Sequence, residues 1–192
     1  MSSMNYPEHG KYEWLPILYD FVVTLKPKRI IEFGPGSGYT TICMAKALKE
    51  NNIDGHIKSY DIWDDEYWGK QVSTQAQYSA WGVEDSITLN NLNFFEWIEE
   101  PEEFDLLYFD INNTSEKLMK LYDKVKNQID SGSVVFFEGG SQIRDESGHV
   151  GGKMYDIKDE IGYKILTGNV KYSASAIYNT DKYDLDFSWI RY

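Results

Sequence analysis

The sequence predicts an α/β fold: a doubly wound, mostly parallel, seven-stranded sheet that ends in an antiparallel hairpin. Three observations carry this reading. Short apolar, β-branched runs alternate with helix-periodic segments along the whole chain. Residues 30–41 pass from an apolar run through Gly34, Gly36 and Gly38 into a periodic stretch, a strand, tight turn and helix in succession. The last two strand-like runs flank Gly168 and Asn169 with no helix between them, as a hairpin requires.

The elements follow in order. Leu15, Leu18, Phe21, Val22 and Leu25 share one side of a helix over 12–25, with Pro16 in its first turn and Pro27 beyond its end. The Lys26-Pro27-Lys28-Arg29 cluster closes that helix. Strands are expected at 29–33, 56–62, 86–90, 105–110 and 133–137, with helices at 39–50, 67–81, 94–100 and 115–129. The run at 105–110 is apolar enough to be buried on both faces. A Gly-rich loop over 139–152 precedes a short helix near 154–161, and the hairpin spans 163–178.

Bulk properties bound the function. The 192 residues suit a single domain, with a core over 12–180 and an aromatic tail at 181–192. Hydrophobic content of 42% and aromatic content of 16% describe a folded globule. Nineteen basic against 31 acidic residues give a net charge of −12, which argues against nucleic acid and anionic membranes as partners. No run approaches the ~20 apolar residues of a membrane span. The N-terminal residues lack the pattern of a signal peptide, so the cytoplasm is the expected compartment. The single cysteine, Cys43, forms no intramolecular disulfide and falls among apolar neighbours as a core residue. Phe187, Trp189 and Tyr192 in the tail could pack on the sheet edge, shape a pocket or bury a homodimer contact.

The glycine turn carries the chemistry. A turn between a strand and a helix N-terminus offers close backbone approach and N–H groups aimed at a ligand. Its spacing, Glu32-x-Gly34-x-Gly36-x-Gly38, differs from the G-x-G-x-x-G dinucleotide fingerprint and from the phosphate loop that ends in lysine. It resembles motif I of class I S-adenosylmethionine (SAM) dependent methyltransferases, and the alternation of elements over 12–180 resembles their Rossmann-like fold. In open α/β sheets the ligand lies beyond the carboxyl ends of the strands, which selects Asp61 at the end of the second strand. A carboxylate there can accept from both ribose hydroxyls, the role this position has in the family. Trp63 could lie over the adenine face. The resemblance places Asn93 at the adenine amino group, where Asp is more usual, and Glu32 near the methionine ammonium. Gly34, Gly36, Ser37 and Gly38 would line the cofactor.

The run 104–116 looks like that of small-molecule O-methyltransferases, whose fourth strand ends in Ile-Asp-Gly/Ala-Asp-His. Asp110 matches the first Asp, while Asn112 and Asn113 replace the second Asp and the His. Metal-dependent relatives place an Asp-Asn pair after the fifth strand, and here Glu138 and Gly139 stand there. Asp110, Glu138 and the Asn112 carbonyl could hold Mg²⁺, an alternative the sequence does not favour. Equally, Asp110 could be a base or substrate ligand without metal, or both acids could simply end strands. His149 in the Gly-rich loop is a candidate general base, and Arg144 is a candidate for a substrate carboxylate or phosphate. The resemblance implies a SAM-dependent transfer to a small-molecule acceptor, most readily at oxygen. Two rivals remain open: a SAM-binding interaction module without catalysis, and a nicotinamide-dependent oxidoreductase.

Overall fold

The computed structural model describes residues 14–63, 71–147, 152–167 and 173–183. Its seven strands are β1 (Arg29–Phe33), β2 (His56–Asp61), β3 (Ile87–Asn91), β4 (Leu106–Phe109), β5 (Val134–Glu138), β6 (Lys164–Ile165) and β7 (Ala174–Ile177). They lie in the order β3-β2-β1-β4-β5-β7-β6. β1 to β5 are parallel, and β7 is antiparallel to both β5 and β6. The predicted architecture is therefore the observed one.

Strand alternation sorts side chains into two layers. Ile30, Tyr108 and Phe136 face one layer, covered by α1 (Leu15–Leu25), α2 (Tyr39–Glu50) and α3 (Gln71–Trp81). Ile31, Phe33, Leu107, Phe109, Val135 and Phe137 face the other, packed on α4 (Phe94–Trp97), α5 (Ser115–Asp130) and α7 (Lys158–Ile161). Every residue of β4 and β5 is buried, as the apolar runs predict for central parallel strands. Cys43 sits in the first layer and donates its Sγ–H to the Leu15 carbonyl at 3.2 Å, and burial pushes its thiol up to about 12. No helix among the described residues is long and apolar enough to cross a membrane.

Several local expectations change. The stretch read as one Gly-rich loop contains α6 (Gln142–Glu146), capped by Ser141, whose hydroxyl accepts the Arg144 N–H. The helix expected near 154–161 is a 3₁₀ turn (Tyr155–Ile157) followed by α7. β6 has only two residues, and 168–172 at the expected hairpin turn lie outside the described residues. Residues 184–192, including Phe187, Trp189 and Tyr192, also lie outside them.

Candidate active site

The carboxyl edge of the parallel strands is built around the turn from β1 into α2. Gly34, Gly36 and Gly38 all have positive φ (+79°, +51° and +82°), the left-handed backbone that glycine adopts without penalty. A Cβ on Gly34 would stand 1.9 Å from the Asp110 carbonyl oxygen, so the turn presses directly against the end of β4. Gly38 caps α2 with no side chain supplying an acceptor, and no acidic residue occupies the first turn. A helix start left in this way favours an anionic ligand group at its first-turn N–H groups. Ser37, like Gly34 and Gly36, is only partly buried.

Beneath the turn lies a hydroxyl cluster that sequence spacing does not reveal. Glu32 on β1 is fully buried. Its Oε1 accepts from Thr40 at 2.6 Å, and its Oε2 accepts from Thr41 and Ser59 at 2.6 Å each. Burial raises its pKa despite these donors, and the nearby Asp61 charge adds to the rise. Tyr78 of α3 donates to Thr41 at 2.8 Å, and Thr74 donates to the Gly36 carbonyl at 3.2 Å. Glu32, expected near a methionine ammonium directly or through water, has as its observed partners the three hydroxyls that tie α2, β1 and β2 together.

Asp61 ends β2 partly buried, and its Oδ1 accepts the Ile62 N–H at 2.8 Å. Trp63 follows in a left-handed conformation, φ +53°, uncommon for a bulky residue. Its indole donates to the Asn90 carbonyl at 3.2 Å, which lays the ring across the ends of β2 and β3. Asn93 is the N-cap of α4, and its side-chain oxygen accepts the Phe95 N–H at 2.8 Å. The lone pair assigned in the sequence to an adenine amine therefore already has a structural use, and a second lone pair is left for a ligand.

At the ends of β4 and β5 the chemistry departs from the sequence expectation. Tyr108 Oη lies 3.5 Å from Asp110 Oδ2. Burial, then the Asp110 and Glu138 charges, raise the Tyr108 pKa well above its ordinary value, so the phenol stays protonated. Asn113 is fully buried, donates to the Phe109 and Glu138 carbonyls at 2.9 Å each, and accepts the Ile111 N–H at 3.2 Å. It clamps β4 to β5. Arg144, offered in the sequence to a substrate carboxylate or phosphate, turns inward. Its side chain is 1% exposed and does not reach outward to a substrate. It donates to Glu138 Oε2 at 3.0 Å and to the Gly152 carbonyl at 2.8 Å. Glu138, read as an available acid, is the anion of this buried pair. His149 lies outside the described residues.

Among the described residues no group of three or more His, Cys, Asp or Glu side chains could hold a metal ion. The Asn112 backbone carbonyl, at the residue offered in the sequence as a third ligand, accepts from Lys117 Nζ at 2.9 Å, as does the Ile111 carbonyl. The Mg²⁺ alternative does not fit these residues.

Comparison with known proteins agrees with the architecture. A search of curated proteins finds no match. An O-methyltransferase, TomG from Streptomyces achromogenes, involved in tomaymycin synthesis and solved in complex with SAM, superposes with a TM-score of 0.61 at 15% identity, covering 86% of this chain and 79% of that one. An O-methyltransferase from Bacillus cereus in complex with S-adenosylhomocysteine (SAH) gives 0.64 at 14% identity, covering 91% and 85%. An SAH-bound methyltransferase from Podospora anserina gives 0.62 at 14% identity, covering 91% and 82%. At such identities the likeness is one of fold. The family model described as a methyltransferase domain matches residues 31–138, more than half of the chain. That segment runs from within β1 to the last residue of β5 and contains the glycine turn, Asp61 and Asp110, and the chain belongs to this methyltransferase domain family.

Proposed function

We propose that this chain is a SAM-dependent methyltransferase that acts on a small-molecule acceptor at oxygen. The observation that carries the reading is the open α2 N-terminus behind three left-handed glycines, with the Asp61 carboxylate on the neighbouring strand. The donor set suits the parts of the cofactor. First-turn N–H groups of α2 suit a carboxylate, Asp61 suits a vicinal diol, and the Trp63 ring with Asn93 suits a heteroaromatic base. SAM and SAH in the neighbours' structures, and the O-methyltransferase names of two of them, support the same reading.

SAM supplies an electrophilic methyl group, and the protein's work is to hold a nucleophile in line with it and manage one proton. Asp110 is the residue we assign to that proton. It sits where β4 touches the glycine turn, as the Gly34 packing shows, and it can accept from an acceptor hydroxyl as the oxygen attacks. Tyr108, kept protonated by burial, supports the Asp110 carboxylate from below.

Isothermal titration with SAH, with NADH in parallel, tests the cofactor. Binding of SAH in the micromolar range and none of NADH is expected. Asp61→Ala should weaken SAH about a hundredfold, since two charge-assisted hydrogen bonds are worth ~3 kcal/mol together. Binding of NADH alone, or unchanged SAH affinity in Asp61→Ala, would place the cofactor elsewhere. SAH binding without turnover over a broad panel of hydroxylated acceptors would return the chain to a non-catalytic binding role.

A further inference from the structure

Asp110 and Glu138 end adjacent parallel strands. β4 and β5 pair Phe109 with Phe137, so the next residue on each strand stands beside the other, on the face that Tyr108 and Phe136 occupy. Two carboxylates on neighbouring strand ends make the beginnings of a hard-cation site. Here the protein sets its own cation on one of the two. Arg144, 1% exposed, reaches back from α6 onto Glu138 at 3.0 Å, and its other terminal nitrogen lies 3.9 Å from Asp145. Lys117 from α5 places its ammonium on the carbonyls of 111 and 112, in the turn that follows Asp110.

Gly139 links this arrangement to the sequence. It follows Glu138 with φ +101°, and a Cβ there would stand 3.1 Å from Arg144 Nε, 3.3 Å from Arg144 Cζ and 2.2 Å from Met154 Cε. A ligating side chain at position 139 and a guanidinium at its present place would compete for the same space. A side chain at 139 and Arg144 in its present place therefore exclude each other. Asn113 is fully buried, with both amide hydrogens on the Phe109 and Glu138 carbonyls and its oxygen on the Ile111 N–H.

We infer that the Arg144–Glu138 pair stands where a divalent cation would sit at the ends of β4 and β5, and that methyl transfer by this protein requires no metal ion. The inference rests on the methyltransferase reading for its catalytic half and on the ion pair alone for its binding half. A divalent ion on Glu138 would have to displace a buried guanidinium or sit against it, and either disfavours binding. The acceptor proton then falls to Asp110, the strand-end carboxylate that Arg144 does not hold.

Mn²⁺ is the probe. Its free EPR signal is followed as protein is added, both without SAH and with saturating SAH. No site tighter than about 0.1 mM is expected at this edge. A tighter site that is lost in Glu138→Gln or in Asp110→Asn would overturn the inference. Binding that survives both substitutions lies elsewhere on this acidic surface and upholds it. With an acceptor in hand, EDTA-treated and Mg²⁺-supplemented enzyme should turn over at rates within about twofold, whereas a loss of tenfold or more restored by Mg²⁺ would also overturn it. Failure to bind SAH would defeat the proposed function and leave the Mn²⁺ result standing on its own.

Discussion

The residues at the end of β5 show how few side chains decide the character of the site. Glu138 and Arg144 are six apart in sequence, and the left-handed pair Gly139 (φ +101°) and Gly140 (φ +92°) folds one onto the other. Removing either partner leaves a buried charge without its nearest counter-ion, with Asp145 3.9 Å from Arg144 as the remaining anion, and costs about 3–5 kcal/mol. Glu138→Gln and Arg144→Met should each lower the unfolding free energy by that amount, while the double variant should lose less than the sum. Chemical denaturation of all four proteins measures the coupling, and an additive cycle would mean that the pair is solvated in solution. Gly139→Ala should cost ~1–3 kcal/mol in the same assay, because alanine must take a left-handed φ and push on Met154, which is fully buried. The pair left no trace in the sequence. Glycines on both sides of 144 pointed to an open loop, and the Ser141 cap with Arg144 and Asp145 in one short helical turn was the local signal that could have corrected that reading.

Among the elements, the strands were the most legible and the connections the least. β1, β2, β4 and β5 begin and end within a residue or so of the runs that announce them, and for β4 and β5 the reason is that burial on both faces needs a continuous apolar stretch and a Gly or polar residue to stop it. The placement of α3 was not legible. Its mean character is polar, and only the structure shows Tyr78 and Thr74 turned onto the glycine turn, with a Cβ on Gly38 reaching 2.7 Å from the Tyr78 ring. This contact makes α3 part of the glycine turn's support. Tyr78→Phe removes the hydrogen bond to Thr41 and keeps the ring, so it should lower stability by only ~1 kcal/mol. If the hydroxyl chain Tyr78–Thr41–Glu32 holds the turn in shape, SAH should bind several-fold more weakly while an acceptor's KM is unchanged. Equal affinity in wild type and Tyr78→Phe would show that the turn keeps its shape from glycine packing alone.

For the whole molecule, two carboxylates at opposite ends of β1 and β4 give stability opposite dependences on pH. At the amino end, Asp105 accepts from the Lys28 and Arg29 N–H groups at 2.8 and 2.9 Å and from the Arg29 guanidinium at 2.8 Å. Burial pushes its carboxyl up, but these donors outweigh it and hold the pKa below its ordinary 3.8. Its contribution is present above that value and fades as pH falls through the folded pKa. At the carboxyl end, burial holds Glu32 above its ordinary 4.5. Below 4.5 the folded chain keeps Glu32 protonated at no cost, and as pH rises through the folded value the chain must either hold that proton or bury a charge, so stability is lost. Melting temperatures of Asp105→Asn and Glu32→Gln, each subtracted from wild type across pH 3–8, separate the two. The Asp105→Asn deficit, worth ~1 kcal/mol at neutral pH given its partial exposure, should vanish toward pH 3. The Glu32→Gln variant should gain on wild type as pH rises from 4.5. A Glu32→Gln difference that is flat with pH would mean that Thr40, Thr41 and Ser59 compensate fully for burial, and that the carboxylate beneath the glycine turn is charged at every working pH.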